Sequence, residues 1–340
     1  MSAGAAESAV FLAEMQALAL VALRDWDLQV TQVAPIKVRE NAVFRLDLAG
    51  GGRAVLRVHR PGYHSDEELV SEFAWLRALE AAGIAVPRAI ASRHGRDFEV
   101  VAASGAGSRQ IDVFEWIEGS QLGSVETGIA GDEAAIAAQY HTIGAIAARM
   151  HNQAAGWQQP VGFCRHAWDA AGLMGEQPFW GRFWELAALN AAQKALLAQA
   201  RERIAAGLLA YGTQPDRFGL IHADLVPENL LIDGDRVRVI DFDDAGFGWH
   251  LFELATSLYF ISGDPIYPTA RDALIRGYRS VRPLSDEALE HLPLFLAARG
   301  TTYLGWVHTR PGSETAREFT PFLVERACAV ADEYLARTTA

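Results

Sequence analysis

Residues 221–233 read IHADLVPENLLID. Within this stretch, His222, Asp224 and Asn229 follow the spacing H-x-D-x-x-x-x-N, and a short apolar run comes directly after them. Asp, Asn and Pro are common turn residues, so one interpretation is a solvated turn between two hydrophobic segments. The rest of the chain decides between such a turn and a loop that carries chemistry.

A second acidic motif follows twelve residues after Asn229. Residues 237–246 read VRVIDFDDAG, an apolar strand that ends in Asp241. Phosphoryl transfer needs a carboxylate near the acceptor hydroxyl and metal ions that neutralise phosphate oxygens. Mg²⁺ prefers oxygen ligands of this kind. The two motifs in this order predict a phosphoryl-transfer loop, with Asp224 as the base or orienting group and with Asn229 and Asp241 as metal ligands.

His222 and Asp243 complete the candidate set in this region. We expect His222 to take part in the catalytic loop by bracing it through hydrogen bonds rather than by titrating in the reaction. Asp243 could hold a second metal ion, position the acceptor, or simply cap the following turn, and the sequence leaves these three roles open.

The composition is that of a globular protein. Half of the 340 residues are hydrophobic and 21% are charged, and this length is typical of about two domains. A net charge of −12 disfavours nucleic-acid binding, which depends on neutralising phosphates, and disfavours anionic membrane surfaces. The two cysteines are far apart and lack metal-ligand spacing, which indicates reduced thiols. The N-terminus lacks a basic region, and no apolar run reaches ~18 residues, so we expect a cytoplasmic protein without a signal peptide or membrane span.

Hydrophobic periodicity divides the chain into a small β-rich part and a larger helical part. Segments 31–38, 43–48, 53–58, 98–102 and 110–117 are predicted strands, and Ser65 with Glu68 forms a capping box that begins a helix ending near residue 82. Predicted helices elsewhere span 8–24, 134–150, 180–210, 253–261 and 286–307, with an island of strands around 218–241. The pattern predicts an α+β protein with a helical extension over 1–30, a small antiparallel-sheet lobe over 31–118, and a larger helical lobe over 119–340.

These motifs resemble the aminoglycoside phosphotransferase and choline kinase superfamily. HADLVPENLL at 222–231 and VIDFDDAG at 239–246 carry the likeness, which is greatest to the bacterial branch of homoserine kinase-like proteins and stress-response kinases. LRVHRPGYHS at 56–65 and SEFAWLRAL at 71–79 match the same branch, so the resemblance covers roughly residues 31–310. It implies a bilobal protein-kinase-like fold with ATP and Mg²⁺ as cofactors, a nucleotide-binding N-lobe, and a C-lobe that holds the acceptor.

The resemblance implies a phosphate-binding lysine on strand 53–58, where this chain has Arg57. Its two lysines, Lys37 and Lys194, lie elsewhere. An arginine is always charged and can fork onto phosphate or carboxylate, so Arg57 is the candidate for this nucleotide-binding position. Glu72 lies in the apolar stripe of the capped helix, where an unpaired carboxylate would be costly. Pairing with Arg57 is therefore predicted; the alternative is that Glu72 lies at the edge of the stripe and reaches water.

Two further segments are implied to contact the nucleotide. The hairpin at 35–46 lacks G-x-G-x-x-G, and the resemblance implies that backbone amides near Glu40–Val43 cover the phosphates with help from the side chain of Asn41. A plain hairpin without a ligand is the alternative. VFEWIEG at 113–119 matches the connector that holds the adenine through main-chain groups, which makes Glu115 and Ile117 backbone contacts.

The acceptor is expected in the helical lobe after Asp241, where several aromatic and polar residues are candidates without assigned roles: Trp249, His250, Glu253, Tyr259, Tyr303, Trp306 and His308. The implied activity is transfer of the γ-phosphoryl group of ATP to a hydroxyl of an amino alcohol, hydroxy-amino acid or aminosugar. One alternative is a bacterial stress-response Ser/Thr protein kinase, although no long activation segment follows Asp241. The other is a nucleotide-binding pseudokinase, which Arg57 alone favours and the retained Asp224 and Asn229 disfavour.

Overall fold

The structure is a computed structural model that describes residues 3–38, 41–103, 107–124, 128–129 and 131–339. The chain divides into two compact units. Unit 1 consists of Met1–Ala81, Ala85–Glu118 and Gln159–Cys164, and unit 2 consists of Ala82–Ile84, Gly119–Gln158 and Arg165–Ala340. The antiparallel sheet of the first and the many helices of the second confirm the predicted α+β class.

Unit 1 contains a five-stranded antiparallel sheet and two helices. The helices are α1 (Ala3–Ala22) and α2 (Asp66–Ala81), and the strands are β1 (Val30–Val38), β2 (Ala42–Leu48), β3 (Arg53–Val58), β4 (Phe98–Ala103) and β5 (Gly107–Glu115). The strand order is β1–β2–β3–β5–β4, so β3 and β5 are neighbours although a helix and a strand separate them in sequence. Alternate residues of the inner strands, including Phe44, Leu46 and Leu56, are buried in the unit's core.

The capping box that begins α2 is confirmed. The Ser65 hydroxyl accepts a hydrogen bond from the Glu68 amide at 3.2 Å, and the Glu68 carboxylate accepts from the Ser65 amide at 2.9 Å. This reciprocal pair satisfies two donors that a helix start leaves without partners. It fixes the beginning of the helix that carries Glu72.

Unit 2 combines short strands with most of the helices. Its strands are β6 (Ser120–Gln121), β7 (Gly123–Ser124), β8 (Gly128–Ile129), β9 (Ala167–Trp168), β10 (Phe218–Ile221), β11 (Leu230–Asp233), β12 (Arg236–Val239) and β13 (Gly246–Trp249). Its helices are α3 (Glu133–Gly156), α4 (Ala170–Met174), α5 (Ala191–Tyr211), α6 (His250–Tyr259), α7 (Tyr267–Arg279), α8 (Asp286–Leu289), α9 (Leu292–His308) and α10 (Glu314–Thr339).

The strand pairing of unit 2 brings the two motif loops side by side. Residues 222–229 connect β10 to β11, and residues 240–245 connect β12 to β13. Strand β10 pairs with β13, and β11 pairs with β12, both antiparallel. Because each loop therefore begins and ends beside the other, the two acidic motifs share one end of the strand island.

Two of the predicted helices are wrong in extent. In place of one helix over 180–210, Phe183–Glu185 form a single 3₁₀ turn and α5 begins only at Ala191. There Asn190 caps the helix and forms a capping box with Gln193, which defines where the helix begins. The segment 286–307 is two helices, because a new one begins at Leu292 with Pro293 in its first turn. Among the described residues, no helix is long and apolar enough to span a lipid bilayer.

Candidate active site

One buried carboxylate anchors the start of the loop 222–229. Glu253 of α6 is fully buried and accepts hydrogen bonds from the backbone amides of His222 at 2.9 Å and Ala223 at 2.7 Å. Ala223 has a φ of 65°, in the left-handed region that residues with a Cβ rarely adopt. Burial raises the pKa of Glu253, while the hydrogen bonds from the two backbone amides oppose that rise. The strained turn is thus held from α6 by the two acceptor oxygens of one carboxylate.

His222 connects the two motif loops. Its Nε2 lies 3.0 Å from the carbonyl oxygen of Ile240, and its Nδ1 accepts a hydrogen bond from the Asp224 amide at 3.2 Å. These partners require a neutral imidazole with its proton on Nε2. The ring is fully buried and packs against the ring of Phe242 with centroids 4.5 Å apart. The ring therefore links the two loops by hydrogen bonds and has no exposed surface.

The carboxylate of Asp224 is held at both oxygens. Oδ2 accepts from the side-chain amide of Asn229 at 2.8 Å, and Oδ1 accepts from a guanidinium nitrogen of Arg299 at 2.6 Å. The Asn229 amide also donates to the main-chain oxygen of Asp224 at 3.0 Å. The Asp224 side chain keeps 20% of its surface exposed, so it remains accessible while its orientation is fixed. A fixed, accessible carboxylate is what an acceptor hydroxyl requires from an orienting group.

Asn229 and Asp241 lie at the ends of adjacent strands. Leu230 and Val239 are the last pair of residues in the β11–β12 ladder. One further hydrogen bond of 3.0 Å, from the Ile240 amide to the Asn229 carbonyl, continues it into the loops. Asp241 is exposed and has a φ of 66°. Because Asn229 donates from its nitrogen to Asp224, its side-chain oxygen is left for a ligand. An amide oxygen and a carboxylate here fit the hard oxygen donors that Mg²⁺ takes.

Arg165 holds the backbone of the loop 242–245. Its guanidinium donates to the main-chain oxygens of Phe242, Asp243 and Ala245. The indole nitrogen of Trp168 donates to the Asp244 oxygen at 2.9 Å, from the strand β9 that pairs with β13. Asp243 itself is 5% exposed. Its backbone is therefore fixed by Arg165, just before β9, which the sequence motif did not indicate.

Two neutral histidines lie behind the catalytic loop. His151 and His250 stack with ring centroids 4.2 Å apart, and the His151 Nδ1 lies 2.9 Å from the Tyr278 hydroxyl. Burial and the nearby Arg282 lower the pKa of His151 to about 3. Burial, His151 and Arg282 lower that of His250 to about 2. Both rings therefore stay uncharged at neutral pH and belong to the core beneath the site.

Unit 1 contains a buried ion network around Arg57. The Arg57 guanidinium is 2.9 Å from the Glu72 carboxylate, which confirms the predicted pair. It also forks onto Asp112 of β5, with Nε 3.0 Å from Oδ1 and Nη2 2.7 Å from Oδ2, and His59 lies 2.8 Å from Asp112 Oδ2. Burial disfavours the charged form of Asp112, but Arg57 and His59 outweigh it and hold its pKa below the usual value. Asp112 and Glu72 therefore share the guanidinium of Arg57, at the position where the resemblance implies a phosphate-binding lysine.

The other implied nucleotide residues lie along the same sheet. The side-chain oxygen of Asn41 accepts from the Arg60 amide at 3.1 Å, which ties the start of β2 to the end of β3; Glu40 lies outside the described residues. Glu115 is the last residue of β5, and its amide donates to the Arg88 carbonyl at 2.8 Å. Ile117 lies just past the strand, and its amide has no hydrogen-bond partner among the residues described.

The acceptor candidates in unit 2 are mostly core residues. Glu253 accepts hydrogen bonds from the loop 222–229, and His250 stacks on His151. The Trp249 indole donates to the Gly212 carbonyl at 2.6 Å. Tyr259 is fully buried, whereas Trp306 and His308 are half-buried. Tyr303 differs, because its hydroxyl accepts from Arg299 beside Asp224 at 2.8 Å.

Three residues of the two networks were missed by sequence reasoning: Asp112, Arg165 and Arg299. Asp112 interrupts the apolar run of β5, where a buried charge signals a partner. Arg299 interrupts the apolar run LPLFLAARGTTYL in the same way. Asp112 and Arg299 were each detectable as a charge in an apolar segment, although the partner was not.

Comparison with known proteins identifies the group to which this architecture belongs. The model of the phosphotransferase enzyme family matches residues 32–290. A solved structure of a microcompartment-associated aminopropanol kinase is 31% identical, covers 94% of this chain and 98% of its own, and superposes with a TM-score of 0.84. A structure of an amicoumacin kinase in complex with AMP-PNP and Ca²⁺ is 21% identical over 94% of this chain and 93% of its own, with a TM-score of 0.75.

Several proteins are similar to this chain in sequence. A protein of Deinococcus radiodurans is 32% identical over 78% of this chain and 75% of its own length. The amicoumacin kinase of Bacillus subtilis is 23% identical over 87% of this chain and 85% of its own. The homoserine kinase of Gluconacetobacter diazotrophicus is 34% identical over 38% of this chain and 43% of its own.

Proposed function

This chain belongs to the phosphotransferase enzyme family, and we propose that it transfers the γ-phosphoryl group of ATP, with Mg²⁺, to the hydroxyl of a small amino alcohol. That it is a kinase acting on a hydroxyl of a small molecule follows from the family and from its relatives. The nucleotide, the metal and the acceptor class are the parts that we propose. Hydroxy-amino acids and aminosugars are the neighbouring acceptor classes.

The observation that carries the proposal is the geometry of Asp224. Its carboxylate is fixed by Asn229 and Arg299, yet one fifth of the side chain faces outward. In phosphoryl transfer the protein contributes mainly positioning and electrostatic stabilisation, so a fixed carboxylate suits the orientation of an acceptor hydroxyl. His222 and Glu253 hold the turn that presents it.

Asn229 and Asp241 are the proposed metal ligands, with Asp243 as a further oxygen donor. A bound Mg²⁺ would neutralise the charge of the phosphate oxygens. The amide nitrogen of Asn229 is engaged with Asp224, which leaves its oxygen as the ligand atom. The metal ligand and the orienting carboxylate are thereby linked through one side chain.

In unit 1 we propose that the nucleotide contacts main-chain groups of Glu115 and Ile117, the hairpin at Asn41, and the network of Arg57 and Glu72. The Ile117 amide lacks a partner among the described residues, which suits an acceptor nitrogen of adenine. Arg57 shares its charge between Asp112 and Glu72. We therefore expect it to orient this network and to contribute less direct charge to the phosphates than an unshared lysine would.

The proposed reaction is a direct displacement. The acceptor oxygen forms a bond to the γ-phosphorus, the bond from that phosphorus to the β,γ-bridging oxygen breaks, and ADP leaves with the electron pair. The hydroxyl proton passes to the Asp224 carboxylate and then to solvent. An amino alcohol is the first acceptor to test because the aminopropanol kinase resembles this chain over nearly its whole length.

The test is ADP release from Mg·ATP with 1-amino-2-propanol, ethanolamine, choline, homoserine, serine, glucosamine, glucose and a generic protein substrate. Wild type is compared with Asp224→Asn and with Asp235→Asn, a matched control on the exposed β11–β12 turn. We expect release with an amino alcohol, a loss of about 10²-fold or more in Asp224→Asn, and wild-type rates in the control. Omission of Mg²⁺ with added chelator should abolish release.

The outcomes separate the parts of the proposal. Release with homoserine or glucosamine alone would keep the kinase and replace the acceptor class. Release only with the protein substrate would contradict a small-molecule acceptor. Unchanged turnover in Asp224→Asn would contradict the role given to this carboxylate.

A further inference from the structure

Arg299 is a buried cation beside the orienting carboxylate. It lies in the middle of α9 and is fully buried, whereas the Asp224 side chain that it contacts is one fifth exposed. Its Nη2 is 2.6 Å from Asp224 Oδ1. Because the guanidinium has no exposed surface, any effect on a substrate must pass through Asp224.

Aromatic rings fix the direction of the Arg299 fork. The guanidinium carbon lies 4.5 Å from the ring centroid of Tyr303, 4.9 Å from that of Trp180 and 5.6 Å from that of Phe252. The Tyr303 hydroxyl accepts from both Nε at 3.0 Å and Nη2 at 2.8 Å. Cations over aromatic faces are stabilised by the ring quadrupole, and here three faces surround one group. The planar fork therefore has a single orientation, and that orientation points Nη2 at Asp224.

Packing alone does not account for an arginine at this place. Its Nη1 is buried without a hydrogen-bond partner among the described residues. A buried ion costs several kcal/mol in desolvation, and an apolar side chain of similar volume often serves stability as well or better. Besides the aromatic rings and the Tyr303 hydroxyl, this cation has an ion pair with Asp224 that compensates for its burial.

We propose that Arg299 is a positioning residue for phosphoryl transfer, acting by fixing the Asp224 carboxylate against the acceptor hydroxyl. The proposal rests on the proposed function. Asn229 holds Oδ2 from the metal side of the loop, and Arg299 holds Oδ1 from α9, so the carboxylate plane is set by two donors. Either donor alone leaves the plane free to rotate about the remaining bond.

The test is a double-mutant cycle between Asp224→Asn and Arg299→Met, measured as kcat and KM with the acceptor found above. A misplacement of about 1 Å at a reacting group lowers rates by roughly 10²-fold, so Arg299→Met should lower kcat by about tenfold to a hundredfold. The KM values for ATP and acceptor should stay within about threefold of wild type. Arg299→Lys, which keeps the charge and loses the fork, should recover part of kcat.

The cycle separates positioning from a general structural effect. If Arg299 acts through the carboxylate, Arg299→Met adds no further loss in the Asp224→Asn background, because the two changes are coupled. Losses that multiply would overturn the proposal. Arg276→Met, at an exposed arginine of α7, is the matched control and should keep wild-type kcat.

A second readout needs no acceptor. Thermal unfolding of the same four proteins should show coupling, since Asp224→Asn leaves Arg299 buried without its carboxylate and Arg299→Met then relieves that defect. If no acceptor supports turnover, the proposed function fails, while this cycle still tests the pairing. Additive shifts in melting temperature would overturn the inference; if Arg299→Met does not fold, Arg299→Lys takes its place in both cycles.

Discussion

Replacing Arg57 by methionine tests the ion network of unit 1. The Arg57 side chain is 7% exposed and holds Asp112 and Glu72, whose side chains are 0% and 1% exposed. Methionine fills a similar volume but donates no hydrogen bond. Asp112 would retain His59 as a partner, and the Glu72 carboxylate would lose the cation within 2.9 Å. The substitution therefore removes the one cation that these two buried carboxylates share.

The expected cost is about 3–5 kcal/mol in the free energy of unfolding, the range for removing one partner of a buried ion pair. Solvent screens the attraction between these charges only weakly, because all three side chains are almost fully buried. Arg57→Lys should cost less, roughly 1–3 kcal/mol, since an ammonium supplies the charge but not the fork onto Asp112. Arg53→Met is the matched control on the same strand. Its partner Glu118 is 65% exposed, so its loss should stay within about 1 kcal/mol.

The pH dependence gives a second signature. In the wild type, Arg57 lowers the pKa of Asp112, so its stabilising contribution is present above the unfolded value of about 3.9 and is lost as pH falls through the folded value. Without Arg57, burial dominates and favours the protonated acid. The variant then gains stability as pH falls, and its deficit against wild type should shrink between pH 7 and pH 4.5.

The assay is urea unfolding at both pH values, with hydrogen exchange of β3 and β5 amides to assign the loss to unit 1. Both strands should lose protection in Arg57→Met and keep it in Arg53→Met. Equal, small losses in the two variants would refute the view that this network is a main stabiliser of the sheet. A deficit that widens at pH 4.5 would refute the assignment to Asp112.

Two further predictions concern unit 2. Glu253→Gln replaces one of the two oxygens that accept from the loop amides with an NH₂ donor. The free energy of unfolding should therefore fall by about 2–4 kcal/mol and kcat by more than about tenfold; a wild-type kcat would contradict this prediction. His250 has a folded pKa of about 2 against an unfolded value of about 6.5, so its contribution is present above pH ~6.5 and declines by about 1.4 kcal/mol per unit of pH below it. Between pH 7 and pH 5 the His250→Gln variant should therefore lose roughly 2 kcal/mol less unfolding free energy than wild type, measured by denaturant unfolding. The variant His141→Gln, at an exposed histidine, should lose as much as wild type. Equal losses in wild type and His250→Gln would contradict this prediction.

The local parts of the site could be predicted from sequence because their geometry is local. The spacing of Asp224, Asn229 and Asp241 places them on two adjacent loops once the flanking strands pair, and the stripe on α2 placed Glu72 inward. The prediction of one helix over 180–210 was wrong because it rested on composition and not on a local start signal. Its alanine-rich composition indicated helix throughout, while the capping box at Asn190 decided where the helix begins.

The residues that were missed depend on long-range pairing. Asp112 meets Arg57 because β3 and β5 are neighbours in the sheet, a register that no local pattern specifies. Arg299 lies 75 residues from Asp224. A charge within an apolar segment signals that a partner exists, but identifying the partner requires the fold. Sequence reasoning therefore found the groups that contact ligands in the proposal and the supporting residues His222 and Glu72, and it missed the distant partners Asp112 and Arg299.

Arginine has the same kind of surroundings in both units, which suits an arginine on β3 where the resemblance implies a lysine. Arg57 forks onto Asp112 with Phe114 at 4.8 Å from its guanidinium carbon, and Arg299 contacts Asp224 among three aromatic rings. In each case a planar cation, held by rings, sets the direction of a carboxylate. A lysine offers a point charge on a flexible stem and sets no such direction. If orientation is the function, lysine should restore only part of the wild-type behaviour at both positions even though charge is kept, whereas charge alone would predict full recovery.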